Sequence, residues 1–392
     1  MSSTSEIAVR LKANLAQIQA NMGFQTLLLA VTISLGLWVF VQTRRKNDPK
    51  ANVISNEEKA PKLELRRTKN THIPQNVRVS RLLVHPIKSC RGISVDQVAY
   101  TPEGVEFDRL WAIIDSNKQA IITAREVPKL VLVSPQIERD DSLPHLGQLI
   151  VTFPSSAECD TVTVPLRPTE SILRQWKILP QIQIWPTHGP VDGYICESLD
   201  PEGPSPSEVL SKYIGRQVNL VYKGPRPREI DPTTLFPKLQ ATAKYQDMYP
   251  LLVLSEESTS SVDEELRKHV GTQGIDESWK TGNVAIERFR PNIIFSGGGP
   301  FAEDDWEQIT LGTEDAPTIT LVSKCTRCLL PNVSPETGVR DAAVPYKVLM
   351  KFRTGLDPKH KFKPCVGCNG VPSGNGVVQI GDKVFIKRLL ED

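Results

Sequence analysis

A cysteine in the C-terminal third carries the most chemistry in this 392-residue chain. Cys328 follows an apolar run (Ile319 to Val322) and leads into the loop Leu329-Leu330-Pro331-Asn332-Val333-Ser334-Pro335-Glu336-Thr337-Gly338. That context presents a thiol at the mouth of a core. Lys324 and Arg327 flank it, and nearby cations lower a thiol's pKa, so Cys328 is a candidate ligand for a soft metal carried by an anionic group. Cys325-x-x-Cys328 and Cys365-x-x-Cys368 offer a rival: together they could form a four-thiolate zinc site of the ribbon kind, although the gap between the pairs is long.

Three further stretches place polar groups at strand ends. Pro86-Ile87-Lys88-Ser89-Cys90-Arg91-Gly92 offers a charge and a hydroxyl to a phosphate or a pterin oxygen. Phe107-Asp108-Arg109-Leu110-Trp111 pairs a guanidinium with a carboxylate able to orient it. Phe289-Arg290-Pro291-Asn292 brings a planar anion fork and an amide to the start of another strand. Gly297-Gly298-Gly299 is no phosphate loop, because no Gly-Lys-Ser/Thr follows.

The elements that must position these residues are mostly strands. The first is expected over Val77 to Val84, ended by His85-Pro86; a hairpin follows, with Leu110 to Ile114 and Ala120 to Thr123 around Asp115-Ser116-Asn117-Lys118. Further strands are expected at Lys129 to Ser134, Gln148 to Phe153, Thr161 to Val164, Gln181 to Trp185, Val218 to Tyr222, Leu251 to Leu254, Asn292 to Phe295, Ile309 to Leu311, Ile319 to Val322, Val377 to Ile380 and Lys383 to Ile386. Two helices are marked. One runs from Ser205-Pro206 to Gly215, and the other from a capping box at Ser261-Val262-Asp263-Glu264 to about His269. Many short strands with few helices predict β-barrels, two of them sharing a cleft.

Forty-seven Lys and Arg against 45 Asp and Glu leave a net charge of +2, with no polybasic field, so nucleic acid is not an expected partner. Seven cysteines in a chain this long do not resemble a secreted disulfide scaffold. Gly23 to Val41 is almost wholly apolar and is followed by Arg44, Arg45 and Lys46, which predicts a single transmembrane signal anchor over residues 23–42 with the downstream part in the cytosol. The expected organisation is an N-terminal segment (1–22), that anchor, a linker (43–76), and two β domains (77–215 and 216–392).

Lys88-Ser89-Cys90-x-Gly92, Asp108-Arg109-Leu110-Trp111, Thr123-Ala124-Arg125, Arg290-Pro291-Asn292 and Arg327-Cys328-x-x-Pro-Asn-Val-x-Pro-Glu-Thr-Gly, in that order, resemble the MOSC (molybdenum cofactor sulfurase C-terminal) superfamily. Within it the order is similar to the amidoxime-reducing branch, over about residues 77 to 390. The resemblance implies a MOSC N-terminal β-barrel domain and a MOSC β-barrel domain with molybdopterin between them, Cys328 being the thiolate ligand of molybdenum. It implies that Lys88, Ser89, Arg109, Arg290, Asn292, Thr326 and Arg327 hold the pterin and its phosphate. Asp247 matches a cofactor-side acid and a candidate proton donor. Met248 and Tyr249 follow it where relatives often carry small hydroxyl residues, and Asn369 falls where some carry an aromatic.

The implied activity is reduction of N-hydroxylated compounds, such as amidoximes and hydroxylamines. Cytochrome b5 and its reductase are the implied electron donors, and a mitochondrial outer-membrane or endoplasmic-reticulum address follows. No heme, flavin or iron–sulfur signature occurs in the chain, so electrons must come from another protein. The alternatives are a sulfur carrier or cofactor-handling protein, and a zinc-stabilised, membrane-anchored binding protein.

Overall fold

The computed structural model describes residues 74–186 and 188–390. Strands dominate, grouped in sheets of eight, five, three, three and two strands. The eight-stranded sheet positions the site. Its order is Ile93–Val95, Arg78–Val84, Ile293–Ser296, Leu251–Ser255, Cys365–Pro372, Ile319–Thr326, Trp306–Leu311 and Val384–Leu389. The sheet curls toward closure: Val384 N donates to Val77 O at 2.9 Å and Val79 N to Asp382 O at 2.8 Å, returning the last strand to the first. The strand Arg78–Val84 thus pairs antiparallel with Ile293–Ser296, over two hundred residues later.

Hydrophobic burial explains this arrangement. Leu82, Val253, Ile293, Phe295, Ile309 and Ile319 have no or almost no exposed surface and share one core cluster. On the other side of the sheet, Leu254, Ile294 and Val366 pack with Val262 and Leu266 of the helix Glu256–Arg267. Alternate residues of one strand therefore serve two cores, as the two-residue period of a strand requires. The five-stranded sheet holds the expected hairpin, Trp111–Asp115 with Ala120–Ile121, whose turn is tied by Asp115 Oδ1 accepting from Asn117 N and Lys118 N.

Several expectations are corrected. Lys129 to Ser134 is not a strand: Pro128–Leu132 is a 3-10 helix, and the strand begins at Ser134. Proline at its start pre-sets the helical φ and removes a donor that a ladder would need. The helix expected from Ser261 runs Glu256–Arg267 instead. Ser261 is no cap, and Asp263 is turned to accept from Val284 N at 2.8 Å. The strand expected at Gln181 to Trp185 is shifted to Ile178–Ile182.

The transmembrane element of the expected fold class is also corrected. No helix among the described residues is long and apolar enough to cross a membrane. The longest, Glu256–Arg267, has 12 residues. At 1.5 Å per residue it spans about 18 Å, well short of the roughly 30 Å of hydrocarbon. Residues 23–42 themselves, like 1–22 and most of 43–76, lie outside the described residues. The described architecture is mostly β, with barrel-like sheets and few helices.

One irregularity separates the second cysteine pair from a metal knuckle. Lys324 pairs with Cys368 and Thr326 with Cys365, so one extra residue bulges on the Cys365 side. Gly367 supplies it, at φ +75. A Cβ there would lie 2.6 Å from Val253 O. Gly367→Ala combines left-handed strain with this clash, and is expected to cost about 1–3 kcal/mol, read as a lowered midpoint in equilibrium denaturation.

Candidate functional site

Between the ends of these strands lies a cleft of about 770 Å³. The residues named through the MOSC resemblance line it: Lys88 and Ser89, Arg109, Asp247 to Tyr249, Arg290 and Asn292, Thr326 to Cys328, and Asn369; Cys365 and Cys368 do not.

The Lys88-Ser89 turn follows the first strand. Lys88 N donates to Trp111 O at 2.9 Å and Cys90 N to Ile87 O at 3.1 Å, with Ser89 at φ 69. Gly92 has no Cβ because one would lie 2.5 Å from the His85 ring. Cys90 is fully buried and its thiol is pushed up to about 12 by that burial, so it is a packing residue whose carbonyl is its useful atom. That carbonyl accepts from Arg290 Nη1 at 2.6 Å.

Asp108 organises the back wall. Its carboxylate is buried and accepts from Arg109 Nη1 at 2.6 and 2.7 Å, from Asn292 Nδ2 at 2.9 Å and from His85 N at 2.8 Å. Arg109 Nη2 donates onward to Arg290 O at 3.0 Å. Both arginines sit in left-handed backbone, at φ 48 and 58. Asn292 spends its amide on the scaffold: Nδ2 also donates to Leu83 O, and Oδ1 accepts from Leu252 N. It holds the wall in place, and its remaining accepting capacity is small.

Two donors in the cleft are left over. Among the described residues, Arg290 Nη2 and Arg327 Nε are buried without a hydrogen-bond partner. Arg290 is held down at about 10, by desolvation first and then by Arg109, and is still a cation at neutral pH. Arg327 is buried, donates through Nη2 to Phe289 O at 2.6 Å and lies 5.2 Å from the centre of the Phe289 ring. Buried guanidinium donors without partners are costly, and an anionic guest would satisfy them.

Cys328 is exposed, with Leu330 N 3.4 Å from its sulfur. Neither expected cation serves it. Arg327 Nη1 lies 2.9 Å from Cys325 Sγ, and Lys324 Nζ donates to Asp304 O at 3.0 Å. Cys325 is raised by burial, against Arg327. Cys368 is buried, with Sγ 3.2 Å from Glu303 O. Among the described residues no group of three or more His, Cys, Asp or Glu could hold a metal ion, so the four-thiolate zinc site does not form.

The loop behind Cys328 is fixed by its own motif. Buried Asn332 donates to Asp341 O at 2.9 Å and accepts from Tyr346 N at 3.1 Å, while Ser334 Oγ accepts from Glu336 N and Thr337 N.

Asp247 faces the cleft with 59% of its side chain accessible, 2.5 Å from Lys88 Nζ. Desolvation by the cleft walls raises its pKa, but Lys88, then Arg109 and Arg125, outweigh this and hold it at about 2. Asp247 is therefore a carboxylate and stores no proton at neutral pH. Lys88 is itself buried, donates to Tyr245 O at 2.7 Å, and has its pKa lowered by desolvation, against the pull of Asp247. The Tyr249 hydroxyl leaves the cleft for Asp231 O at 3.1 Å, and Asn369 donates to Ser323 Oγ at 3.0 Å.

Sequence reasoning missed the supports of the Asp247 loop. Buried Arg228 donates to Lys244 O, Gln246 O and Met248 O, fixing the loop from below. Trp185 Nε1 donates to Asp247 O at 3.3 Å, and the Arg125 guanidinium lies 4.4 Å from the Trp185 ring centre. Arg228 lies in a Pro-rich run with no pattern of its own; Arg125 was quoted in a motif without a role.

Two predictions test this geometry. Asp108→Ala leaves Arg109 and Asn292 without their acceptor and is expected to cost about 3–5 kcal/mol in chemical denaturation. Lys88→Met removes the charge that depresses Asp247, so its carboxyl should titrate at higher pH by NMR. The sign in the native protein is fixed by the depression: its contribution to stability is present above 3.8 and is lost as pH falls from there through about 2.

The MOSC N-terminal beta barrel domain model matches residues 76–183, and the MOSC domain model matches 240–385. A Mus musculus protein named mitochondrial amidoxime-reducing component 1 is 29% identical over 321 residues, covering 79% of this chain and 82% of its own. The Homo sapiens protein of that name is 28% identical over 327 residues, with the same coverage. A Homo sapiens protein named mitochondrial amidoxime reducing component 2 is 26% identical over 328 residues, covering 78% of this chain and 82% of its own.

Proposed function

The chain belongs to the MOSC superfamily, and on that premise we propose that it is a molybdenum-cofactor oxidoreductase that reduces N-hydroxylated compounds. One observation carries the reading: an exposed thiol, Cys328, stands at a cleft ringed by Lys88, Arg109, Arg290 and Arg327, where two buried guanidinium nitrogens lack partners. A thiolate suits a soft metal, and the cations suit an anionic organic carrier. The relatives' names supply the chemistry: they reduce amidoximes.

Cys328 is the metal ligand in this proposal. Arg290 and Arg327 bind the carrier's anionic end through the donors that the protein leaves open. Ser89 and Thr326 add hydroxyls at the cleft surface. Met248 and Tyr249 form its outer wall, and Asn292 and Asn369 keep the strands behind it in register. When bound, the molybdenum cofactor supplies a two-electron couple for cleaving the N–O bond, the oxygen leaving as water. Two protons complete that balance. The protons come from solvent; Asp247, a carboxylate held low and in position by Lys88, orients the water that delivers them.

The electrons come from outside the chain, and cytochrome b5 with its reductase is the proposed donor pair. The relatives are named mitochondrial, and the same address is proposed here.

The test begins with molybdenum and pterin content of the purified protein, followed by benzamidoxime reduction with cytochrome b5, its reductase and NADH. Cys328→Ser is expected to lower the rate more than a hundredfold while leaving thermal stability nearly unchanged, since the side chain is exposed. Absence of molybdenum, or full activity in Cys328→Ser, would sink the proposal.

A further inference from the structure

A second cavity, of about 580 Å³, opens on the far side of the cleft's outer wall. Met248, Tyr249 and Thr326 line both spaces, and Thr326 lies two residues before Cys328. The second cavity is therefore a continuation of the first across one layer of side chains. Met248, with three rotatable bonds and 38% of its surface exposed, is the adaptable part of that layer.

The cavity has apolar surface from Leu235, Leu356 and Val322. Two carboxylates, Asp231 and Asp357, line it. Asp231 has 68% of its side chain exposed. Asp357 is 8% exposed, and its Oδ1 accepts from His360 N at 2.7 Å and faces His360 Nδ1 at 3.1 Å. Its Oδ2 has no hydrogen-bond partner among the described residues. The Tyr249 phenol is pushed up to about 12, by burial first and then by Asp231 and Asp357, which places both carboxylates close to the shared wall.

The cations nearby do not cancel this. Lys324 turns its ammonium to Asp304 O, His360 is spent on Asp357, and Lys359 is exposed at the rim. A carboxylate oxygen that faces the cavity with no protein donor is matched by an N–H donor, best a charged one.

We infer that this cavity receives the unreactive end of the substrate, and that it favours an apolar body ending in a protonated, N–H-rich group. The inference rests on the reading of the Cys328 cleft as the site of N–O cleavage. The hydroxylated nitrogen lies on the Cys328 side; the body crosses the wall over Met248 and Tyr249; the cationic end meets Asp357. Met248 and Tyr249 set the width of the crossing in this chain.

The test uses two probes with the same neutral reacting head, 4-methylbenzamidoxime and 4-(aminomethyl)benzamidoxime. Their affinities for the oxidised holoenzyme are measured by calorimetry without an electron donor, so that no turnover occurs. The aminomethyl probe is expected to bind about tenfold tighter. Asp357→Asn keeps an oxygen for His360 N and should erase that preference while leaving the methyl probe's affinity unchanged. Thr234→Trp, on an exposed loop at the cavity, should weaken both probes by filling the space. Equal affinities in the native protein, or a preference that survives both substitutions, would overturn the inference. Reduction is then measured with electrons supplied. Discrimination in binding without any reduction would remove the proposed function and leave the subsite standing; reduction of both probes without discrimination would do the reverse.

Discussion

The buried carboxylate of Asp108 is the interaction on which the rest of the site depends. It gathers three segments that are far apart in sequence: the end of the first strand through His85 N, the start of the next through Arg109, and the strand after Arg290 through Asn292. An isolated carboxylate in this position would be strongly disfavoured, and four contacts from three protein donors at 2.6 to 2.9 Å make it tolerable. In return it supplies the anion that allows Arg109 to sit beside Arg290. Their mutual repulsion still shows in the lowered pKa of Arg290. The cleft is thus a cationic site offset from behind by Asp108 and from in front by Asp247, with guanidinium donors remaining for a guest.

The backbone shows where this arrangement is forced. Ser89, Arg109 and Arg290 all lie at positive φ, a region costing a non-glycine residue roughly 1 kcal/mol or more. Glycine would relieve each turn but would remove the hydroxyl or guanidinium that the turn presents. Strain is spent in the turns beside strand ends: Ser89 after Arg78–Val84, Arg109 before Trp111–Asp115 and Arg290 before Ile293–Ser296. The surrounding sheet tolerates it because strands such as Ile293–Ser296 and Leu251–Ser255 are buried on both faces and cannot drift.

Much of this was legible in the sequence, and what was not has physical causes. Lys88, Arg109, Arg290 and Arg327 stand in short motifs whose order survives without any knowledge of the fold. The pairing that unites them does not, because strand periodicity says nothing about partners two hundred residues away. Cys365-x-x-Cys368 read as half of a zinc clamp because spacing was the only signal; the left-handed Gly367 makes it a bulge, and Cys368 lies buried with its sulfur close to Glu303 O. Arg228 was invisible since its role is to donate to three backbone carbonyls, which leaves no mark on sequence pattern. The helix at Glu256 was placed late because the capping-box pattern lies at Ser261; Ser255, the residue before the helix, makes no side-chain cap, its hydroxyl being engaged with Ser258 and Glu303.

The two neighbouring thiols have different surroundings. Cys325 and Cys328 have the spacing of a chelating pair, yet Cys325 is matched to Arg327 Nη1 at 2.9 Å and is pushed up by burial, whereas Cys328 is open to solvent. Drawing both sulfurs to one ion would pull Cys325 away from a guanidinium that already has an unpartnered Nε. That leaves a buried cation with two idle donors, a penalty of several kcal/mol by the usual scale for such groups. Arg327 therefore does not activate Cys328, as the sequence suggested. It holds the other thiol back, and the packing leaves Cys328 as the one thiol of the pair open to solvent.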